Sequence, residues 1–309
     1  MLRFLIQRFL MLFVTLWVVI TLTFLLMNAV PGSPFSKEGT MPEATRLNLE
    51  KFYGLDKTVP EQYFDYLKNL TKLDLGPSYY SKTRTVNDII SEHFPVSATL
   101  GITALVIALV FGLFLGTIAA LKRNTIIDYT ATGIAVLGVS IPNLVLGPLL
   151  ILIFAVNLNW FPIARWGTVS HVVLPAIALG AHSTAVVARL MRSNMLEVLG
   201  QDYIKTAKAK GLNSITIVWR HTIRNAIMPV ITILGPLTAI LLTGTFIIEE
   251  IFAIPGLGKY FVKSVSNRDY PVIMGTTIFY SAILILANFI VDILYGLIDP
   301  RIKIGFRGE

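Results

Sequence analysis

The sequence contains no cysteine and few charged residues. Without cysteine, neither a disulfide framework nor a thiolate nucleophile or metal ligand is available. Charged residues make up 14% of the 309 residues, whereas hydrophobic residues make up 54%, and the mean hydropathy is +0.70. A soluble domain of this length has too small an interior to hide so much apolar surface. The composition therefore predicts a protein that lies in lipid.

The sequence also lacks a phosphate-binding loop and a metal-binding motif. The glycine-rich run Pro255-Gly-Leu-Gly-Lys-Tyr260 is only superficially similar to a P-loop. Ala253 stands where the first glycine of a P-loop would be, and Tyr260 replaces the Ser or Thr that holds magnesium. The four histidines are scattered, with no partner four residues away. We therefore expect no catalytic residue, no metal, no cofactor and no ATP hydrolysis by this chain.

Long apolar runs predict an all-α, polytopic membrane protein. A transmembrane helix needs about 20 predominantly apolar residues. Six segments meet this length, although the fourth is short unless it continues through Arg189. They are Phe9–Val30, Val96–Leu121, Tyr129–Leu158, Val172–Val187, Ile227–Ile248 and Val272–Ile298.

The distribution of Lys and Arg predicts the orientation of these spans. With the N-terminus inside, the cytoplasmic pieces hold 14 basic residues and the two short outer loops hold four. An excess of this kind marks the cytoplasmic side. Both termini are therefore expected in the cytoplasm of a cell-membrane protein. Because the net charge of +8 is scattered between apolar spans, we expect no nucleic-acid partner.

Several residues inside the spans are candidates for a transport path or for helix packing. Proline and glycine interrupt the third span near Pro142, Asn143 and Gly147, and a break at membrane depth must face protein or water. Asn288 and Asp292 share one face of the last span. The Asp292 carboxylate is either a functional site inside the membrane or, being near the helix end, reaches interfacial water or the arginines of a neighbouring segment. Gly112 and Gly116 are candidates for close helix packing. Glu249 and Glu250, at the outer end of the fifth span, either meet a docking partner or simply mark the membrane interface.

The segment between the first two spans has the pattern of a small helical cap. Pro42 and Glu43 begin a helical pattern that Gly54 can end. A capping box starts at Thr58, and a second one at Thr85 predicts a short helix before Pro95. The expected organisation is residues 1–95 as an N-terminal span plus an extracytoplasmic helical segment, followed by residues 96–309 as the main transmembrane domain.

One cytoplasmic run has the features of a short helix that contacts another protein. It is Asp202-Tyr-Ile-Lys-Thr-Ala-Lys-Ala-Lys-Gly211. We predict Asp202 as its N-cap and Gly211 as a left-handed C-terminal residue. Because an isolated helix of this length is marginal in water, we expect it to need a docking surface, for which a groove on a partner is a candidate.

The same run resembles the E-A-A-x-x-x-G loop of permease subunits in binding-protein-dependent ABC importers. Lys205, Thr206 and Ala207 occupy its first three places and Gly211 the last, so the first two places differ from the consensus. The whole chain resembles the B-type permeases of the peptide and nickel branch, and one short run resembles Gram-positive forms. The motifs that carry this resemblance are Asn28-Ala-Val-Pro-Gly-Ser-Pro-Phe35, Leu75-Gly-Pro-Ser78, Val86-Asn-Asp88, Phe94-Pro-Val-Ser97, Ile254-Pro-Gly-Leu-Gly258, Asn267-Arg-Asp-Tyr270, Ile298-Asp-Pro-Arg301 and Phe161-Pro-Ile-Ala-Arg-Trp166.

This resemblance implies a type I ABC importer permease for oligopeptides, with dipeptides, nickel or another small solute as alternatives. It implies four kinds of partner besides lipid: a homologous second permease, two cytoplasmic ATPases, an extracellular peptide-binding protein and the peptide itself. Residues 202–211, including Tyr203, would form a coupling helix that sits in a groove of one ATPase.

Two other classes of membrane protein remain as alternatives. A secondary transporter usually places paired carboxylates or broken repeats at mid-membrane, whereas this chain has Asp292 alone near one edge. A receptor or scaffold would explain the outer segment and the cytoplasmic helix but not the broken third span. Transport driven by separate ATPase subunits distinguishes the three classes.

Overall fold

The computed structural model describes residues 2–30, 34–37, 42–81 and 83–298. Within these ranges the chain is helical and forms no strand, apart from an isolated bridge between Pro77 and Thr85. The all-α prediction is thereby confirmed. The α-helices are α1 Leu2–Ala29, α2 Glu43–Phe52, α3 Val59–Leu70, α4 Val86–Leu121, α5 Ile126–Ser140, α6 Asn143–Leu150, α7 Val169–Leu199, α8 Asp202–Ala209, α9 Ser214–Thr216, α10 Arg224–Ala226, α11 Met228–Thr243, α12 Phe246–Ile251, α13 Leu257–Asn267 and α14 Tyr270–Ile298.

The membrane-length helices agree with the predicted number of spans. Five helical stretches are long and apolar enough to cross a bilayer, and α5 with the segment Asn143–Asn157 makes six if this bent pair is one span. The pair bends by 111°. Its cause is local, because Ile141, which precedes Pro142, is extended at φ −93° and ψ 117°. A residue before proline is driven out of the helical region, and so α5 ends there.

Two predicted boundaries are wrong. The fourth span is not the short Val172–Val187, because α7 is one helix of 31 residues. The capping box at Thr85 does form, with the Asp88 carboxylate accepting from the Thr85 amide at 2.9 Å, but the helix does not stop at Pro95. It continues as the 36-residue α4. Val86, Ile89 and Ile90, in the turns before Pro95, lie in an apolar cluster that holds this part of α4 in place.

The chain folds as two compact units. The first comprises Met1–Val96 and Gly256–Ile285. Its core is an apolar cluster of Val86, Ile89, Ile90, Leu257 and Val272. In the predicted cap, α2 begins after Pro42 and Gly54 has a φ of +69°, as expected. At α3, the Glu61 carboxylate accepts from the amide and hydroxyl of Thr58 at 2.9 and 2.8 Å, which confirms that capping box.

The second unit comprises Ser97–Pro255 and Leu286–Glu309, and α7 is its central helix. Small residues let neighbouring backbones approach α7. A Cβ added at Gly112 would lie 2.7 Å from Val187, and one at Gly116 would lie 2.5 Å from the Ala188 carbonyl oxygen. The predicted packing role of these two glycines is therefore confirmed. Ordinary side chains at either position would push α4 away from α7.

Candidate functional site

The candidate coupling segment, residues 200–226, lies in the second unit directly after α7. Only Gly200 and Gln201 separate α7 from α8, and the chain then continues through α9, a π-helical stretch Ile217–Ile223 and α10. A motion of α8 therefore has a short covalent path to the central helix of the unit.

Helix α8 is held by its own chain. Ile204 and Ala207 are 0% and 6% exposed and pack with Ile217 and Val198. These two positions lie three apart on one face of the helix. The expected docking surface for this short helix is supplied by the chain itself, through the π-helical stretch and the end of α7, and not by a groove on a partner.

The start of α8 differs from the prediction. The N-cap is Gln201, at φ −70° and ψ 150°, and Asp202 is the first helical residue. The Asp202 carboxylate accepts from Lys205 Nζ at 2.9 Å, and both side chains are exposed. Asp202 thus acts through the helix dipole and one exposed ion pair instead of by capping, so it contributes only tenths of a kcal/mol.

The end of α8 follows the prediction closely. Gly211 has a φ of +75°. Its amide donates to the Lys208 carbonyl at 2.9 Å, and the Leu212 amide donates to the Ala207 carbonyl at 3.2 Å. This pair of bonds is the Schellman motif, which needs a left-handed residue at the position of Gly211. A Cβ on Gly211 would meet no atom within 4 Å, so only the backbone requires glycine here.

The opposite side of the segment carries exposed apolar side chains. Tyr203 and Leu212 are 44% and 41% exposed, and Ile215 and Trp219 are 67% and 69% exposed. Lys205 and Thr206 are also exposed, whereas the predicted contact residue Ala207 is buried under the helix. The part of α8 that is free to meet another protein is therefore the face that contains Tyr203.

A buried ion pair joins the start of α5 to α7, between residues far apart in the sequence. Asp128, at the start of α5, is 2% exposed. Its carboxylate accepts from Arg192 Nε at 2.7 Å and from Nη2 at 2.8 Å, and also from the Asn124 amide at 3.0 Å. The predicted fourth span ends at Val187, which leaves Arg192 in the cytoplasmic stretch that follows it. Continuing the helical pattern to Arg192 would place this residue on the helix, but it does not identify Asp128 as its partner.

Glu249 is neither a docking residue nor an interface marker. It is fully buried, and its carboxylate accepts a hydrogen bond from Ser97 Oγ at 2.6 Å. Glu250, the next residue, is exposed. The bond joins α12 to α4 within the second unit, so Glu249 has a structural role that its position beside an apolar run did not indicate.

The candidate pathway residues do not form one cluster within the described residues. Pro142 and Asn143 stand at the 111° bend, where Pro142 is exposed and Asn143 is half-buried. Gly147 is buried, and a Cβ there would lie 3.3 Å from Ile251. Asn288 packs against α11, with its Oδ1 2.6 Å from a Cβ built on Gly235. The side chain of Asp292 lies outside the part of the chain that the structure describes.

Three of the sequence motifs meet in the first unit. Asp269 is 3% exposed, and its carboxylate accepts from Ser78 Oγ and from the amides of Tyr79 and Tyr80, the latter two at 3.1 and 3.3 Å. Asn87 holds the other side of this loop by accepting from the Leu75 amide at 2.9 Å. The motifs Leu75–Ser78, Val86–Asp88 and Asn267–Tyr270 thus build one anchored loop.

Comparison with known families gives two adjoining matches. Residues 112–304 match the family described as binding-protein-dependent transport system inner membrane component. Residues 1–101 match the N-terminal family of such membrane components. Together they span nearly the whole chain.

Curated relatives cover the full length. The chain is 56% identical over 308 residues to the dipeptide transport system permease protein DppB of Bacillus subtilis, with 100% of both chains covered. It is 44% identical to the oligopeptide transport system permease protein OppB of Haemophilus influenzae, covering 98% of this chain and 100% of that protein.

A solved structure shares the fold. A chain of the inward-facing MetNI methionine ABC transporter superposes with a TM-score of 0.57 at 16% identity, covering 68% of this chain and 96% of that one. At this identity the likeness concerns the fold alone, which is that of type I ABC importer permeases.

Proposed function

The chain belongs to the family of binding-protein-dependent transport system inner membrane components, and from that premise we propose that it is the permease subunit of an ATP-driven peptide importer. As a permease it is a non-catalytic, multi-pass membrane protein, and ATP hydrolysis belongs to separate subunits. A homologous second permease would complete the path. An extracellular binding protein would deliver the peptide.

The observation that carries the mechanism is the construction of α8. Two buried side chains fix it to Ile217 and Val198, and the Schellman motif fixes its end. The exposed face with Tyr203 then forms a rigid surface for a groove of one of two cytoplasmic ATPases. A helix fixed in this way moves as a body, so closure of the ATPase dimer would move α7 as well. The buried Asp128–Arg192 pair would pass the movement to α5.

The path itself is proposed to run beside the bend in the third span. Backbone polar groups freed at membrane depth must meet protein or water. Pro142 and Asn143 lie at the bend, and Leu144 and Val145 are exposed in the single chain. The homologous permease or a water-filled path would cover this face. Gly147 and Asn288 have packing contacts, so they are proposed to position the wall and not to contact the peptide.

Peptide length defines the two candidate substrate classes. The sequence motifs resemble oligopeptide permeases, whereas a dipeptide permease is the named relative at 56% identity over the full chain. The decisive experiment is uptake into vesicles that contain this chain, its partner permease and two ATPases, with binding protein outside. Radiolabelled peptides of two and of five residues are compared. ATP-dependent accumulation of either class supports the proposal, and accumulation of neither, with nickel or another solute taken up instead, contradicts it.

The orientation is part of the same proposal. Both termini and α8 are placed in the cytoplasm, residues 1–95 contribute one span and an extracytoplasmic segment, and residues 96–309 form the main transmembrane domain. The native chain has no cysteine, so single cysteines report without background. Asn48→Cys should react with an impermeant thiol reagent on intact cells, and Arg123→Cys should react only after lysis; both side chains are exposed. The reverse pattern would contradict the orientation.

A further inference from the structure

The first unit contains a cavity of about 600 Å³ that the transport mechanism does not use. Its wall is built from the last turns of α1, from α2, α3 and the loops that follow them, and from the first turn of α14. Phe24 and Met27 line it on α1, and Pro271 lines it on α14. This volume is large enough for a phosphate group with its glycerol, and too small for a folded protein segment.

Two phenol groups of this wall lack a hydrogen-bond partner within the described part of the chain. The hydroxyl oxygens of Tyr66 and Tyr270 are buried without one. A buried polar group is normally bonded, because leaving it unpaired is costly. Burial raises the pKa of Tyr66, so this hydroxyl keeps its proton at neutral pH and remains a donor. An oxygen-rich ligand group that enters the cavity would satisfy both hydroxyls.

The wall is also strongly basic. Four lysines line the cavity against one carboxylate, Asp65, which already accepts from Lys57 Nζ at 2.6 Å. Lys51, Lys68 and Lys72 form no ion pair with any described residue. The cavity thus combines donors with an excess of positive charge, which is the chemistry that recognises an anion such as phosphate.

The position of the cavity in the first unit indicates where that phosphate comes from. Its wall includes the end of α1 and the start of α14, and both helices are long and apolar enough to cross a bilayer. Tyr270 stands at the start of α14, and tyrosine at the end of a membrane helix lies at the depth of lipid headgroups. The lysines reach the same cavity from α2, from α3 and from the loops that follow them. Beside Phe24 and Met27, the α1 residues Leu22, Leu25 and Leu26 are exposed, which gives acyl chains an apolar surface next to the cavity.

We propose that this cavity binds the phosphate headgroup of an anionic phospholipid. The hydroxyls of Tyr66 and Tyr270 donate to phosphate oxygens, and Lys51, Lys68 and Lys72 provide the positive charge. The acyl chains lie along the exposed face of α1. The bound lipid then joins α1, α3 and α14 in the first unit, independently of which solute the transporter carries.

The test measures lipid binding to the purified permease complex by native mass spectrometry, after exchange into a detergent that removes bulk lipid. Phosphatidylglycerol and phosphatidylcholine are titrated separately. We expect one saturable phosphatidylglycerol, bound about tenfold more tightly than phosphatidylcholine. The double variant Tyr66→Phe, Tyr270→Phe should weaken this binding about tenfold or more. The matched control, Tyr129→Phe, removes an exposed hydroxyl of the second unit and should not change it.

A second set of variants separates loss of charge from loss of fold. The triple variant Lys51→Gln, Lys68→Gln, Lys72→Gln alters exposed side chains only. It should also weaken the binding of phosphatidylglycerol at least tenfold. Lys122→Gln in the second unit is its control. Equal binding of the two lipids, or unchanged binding by both sets of variants, overturns the proposal. Displacement of the lipid by millimolar inorganic phosphate or by a peptide also overturns it, because either result assigns the cavity to a free anion or to a substrate carboxylate.

Discussion

Two aspartates, one in each unit, are almost fully buried and are satisfied in different ways. Asp269 in the first unit accepts from one hydroxyl and two backbone amides of a single loop. Asp128 in the second unit accepts from Nε and Nη2 of Arg192 on another helix. Asp269 therefore fixes a loop to a helix start, whereas Asp128 fixes one helix to another. The second arrangement is the one expected where a movement must be transmitted.

The short helices α3 and α8, one in each unit, are also held by different kinds of contact. Helix α3 has no fully buried residue and is held by its capping box, by the Lys57–Asp65 pair and by ring contacts of Tyr63 and Tyr66 with Phe24. Helix α8 is shorter but buries Ile204 and Ala207 and ends in a Schellman motif. Polar contacts at a helix surface yield easily, whereas buried apolar contacts resist displacement. The difference supports α8 as the mechanical element.

The largest effect is expected on breaking the Asp128–Arg192 pair. Arg192→Leu leaves a buried carboxylate without its cation, which costs about 3–5 kcal/mol. The yield of monodisperse protein and its melting temperature should both fall sharply. Arg189→Leu, an exposed residue one turn away, is the control and should have little effect. If the two variants behave alike, Arg192 is only a surface charge. Asp128→Leu combined with Arg192→Leu should restore part of the stability.

An intermediate effect is expected at the other buried aspartate. Asp269→Asn replaces a carboxylate oxygen by an amide nitrogen, so at least one of the three donors loses its acceptor, at about 1–3 kcal/mol. The change should lower the melting temperature less than Arg192→Leu does and should speed proteolysis within residues 77–81. Asp56→Asn, at an exposed position, is the control. A melting temperature equal to that of the control would show that the loop does not depend on this charge.

The smallest effect is expected from pH on the start of α3. Hydrogen bonds from the Thr58 hydroxyl and amide hold the pKa of Glu61 below its ordinary value. A lowered folded-state pKa gives stability that is present above the ordinary value, near pH 4.5, and is lost as the pH falls through the lowered one. The protection factor of the first-turn amides of α3, which is the intrinsic hydrogen-exchange rate divided by the measured rate at the same pH, should therefore fall on acidification in the wild type. In Glu61→Gln this pH response should be absent, and a persisting response would assign it to another group.

The fold was largely predictable because its signals are local or long. Apolar runs identified the spans, and the capping box at Thr58 and the left-handed Gly211 follow from residues only three or four positions apart. The bend at Pro142 also follows from its own dipeptide. The limit of α4 was missed because packing of Val86, Ile89 and their neighbours outweighs the local effect of Pro95. The limit of α7 was missed because the helix continues to Leu199, beyond the apolar run that ends at Val187.

The candidate site was predictable in place but not in construction. The motif located α8, but the burial of Ile204 and Ala207 depends on Ile217, which lies beyond a turn in the chain. The Asp128–Arg192 pair joins residues 64 positions apart, and no local pattern relates them. Likewise, Glu249 lies 152 positions from Ser97. Contacts of this range depend on how helices pack, which residue spacing does not indicate.

The central claim is that α8 transmits the movement of the ATPases because two buried side chains fix its inner face and the Schellman motif fixes its end. Gly211→Val adds about 1 kcal/mol or more of backbone strain, and a Cβ at this position meets no other atom within 4 Å. Gly76→Val is a matched control in the first unit, because Gly76 also has a positive φ, of +88°, and open space around its Cβ position. Asp202→Ala should be mild, since Asp202 is not the N-cap.

The most direct measurement follows peptide uptake and ATP hydrolysis together in vesicles containing the complete transporter and peptide-loaded binding protein. We predict that Gly211→Val leaves the complex assembled in the membrane but strongly reduces both uptake and the stimulation of hydrolysis. Gly76→Val should retain both activities. Normal uptake with normal stimulation in Gly211→Val would show that residues 202–211 are only a connecting loop, and would contradict the account.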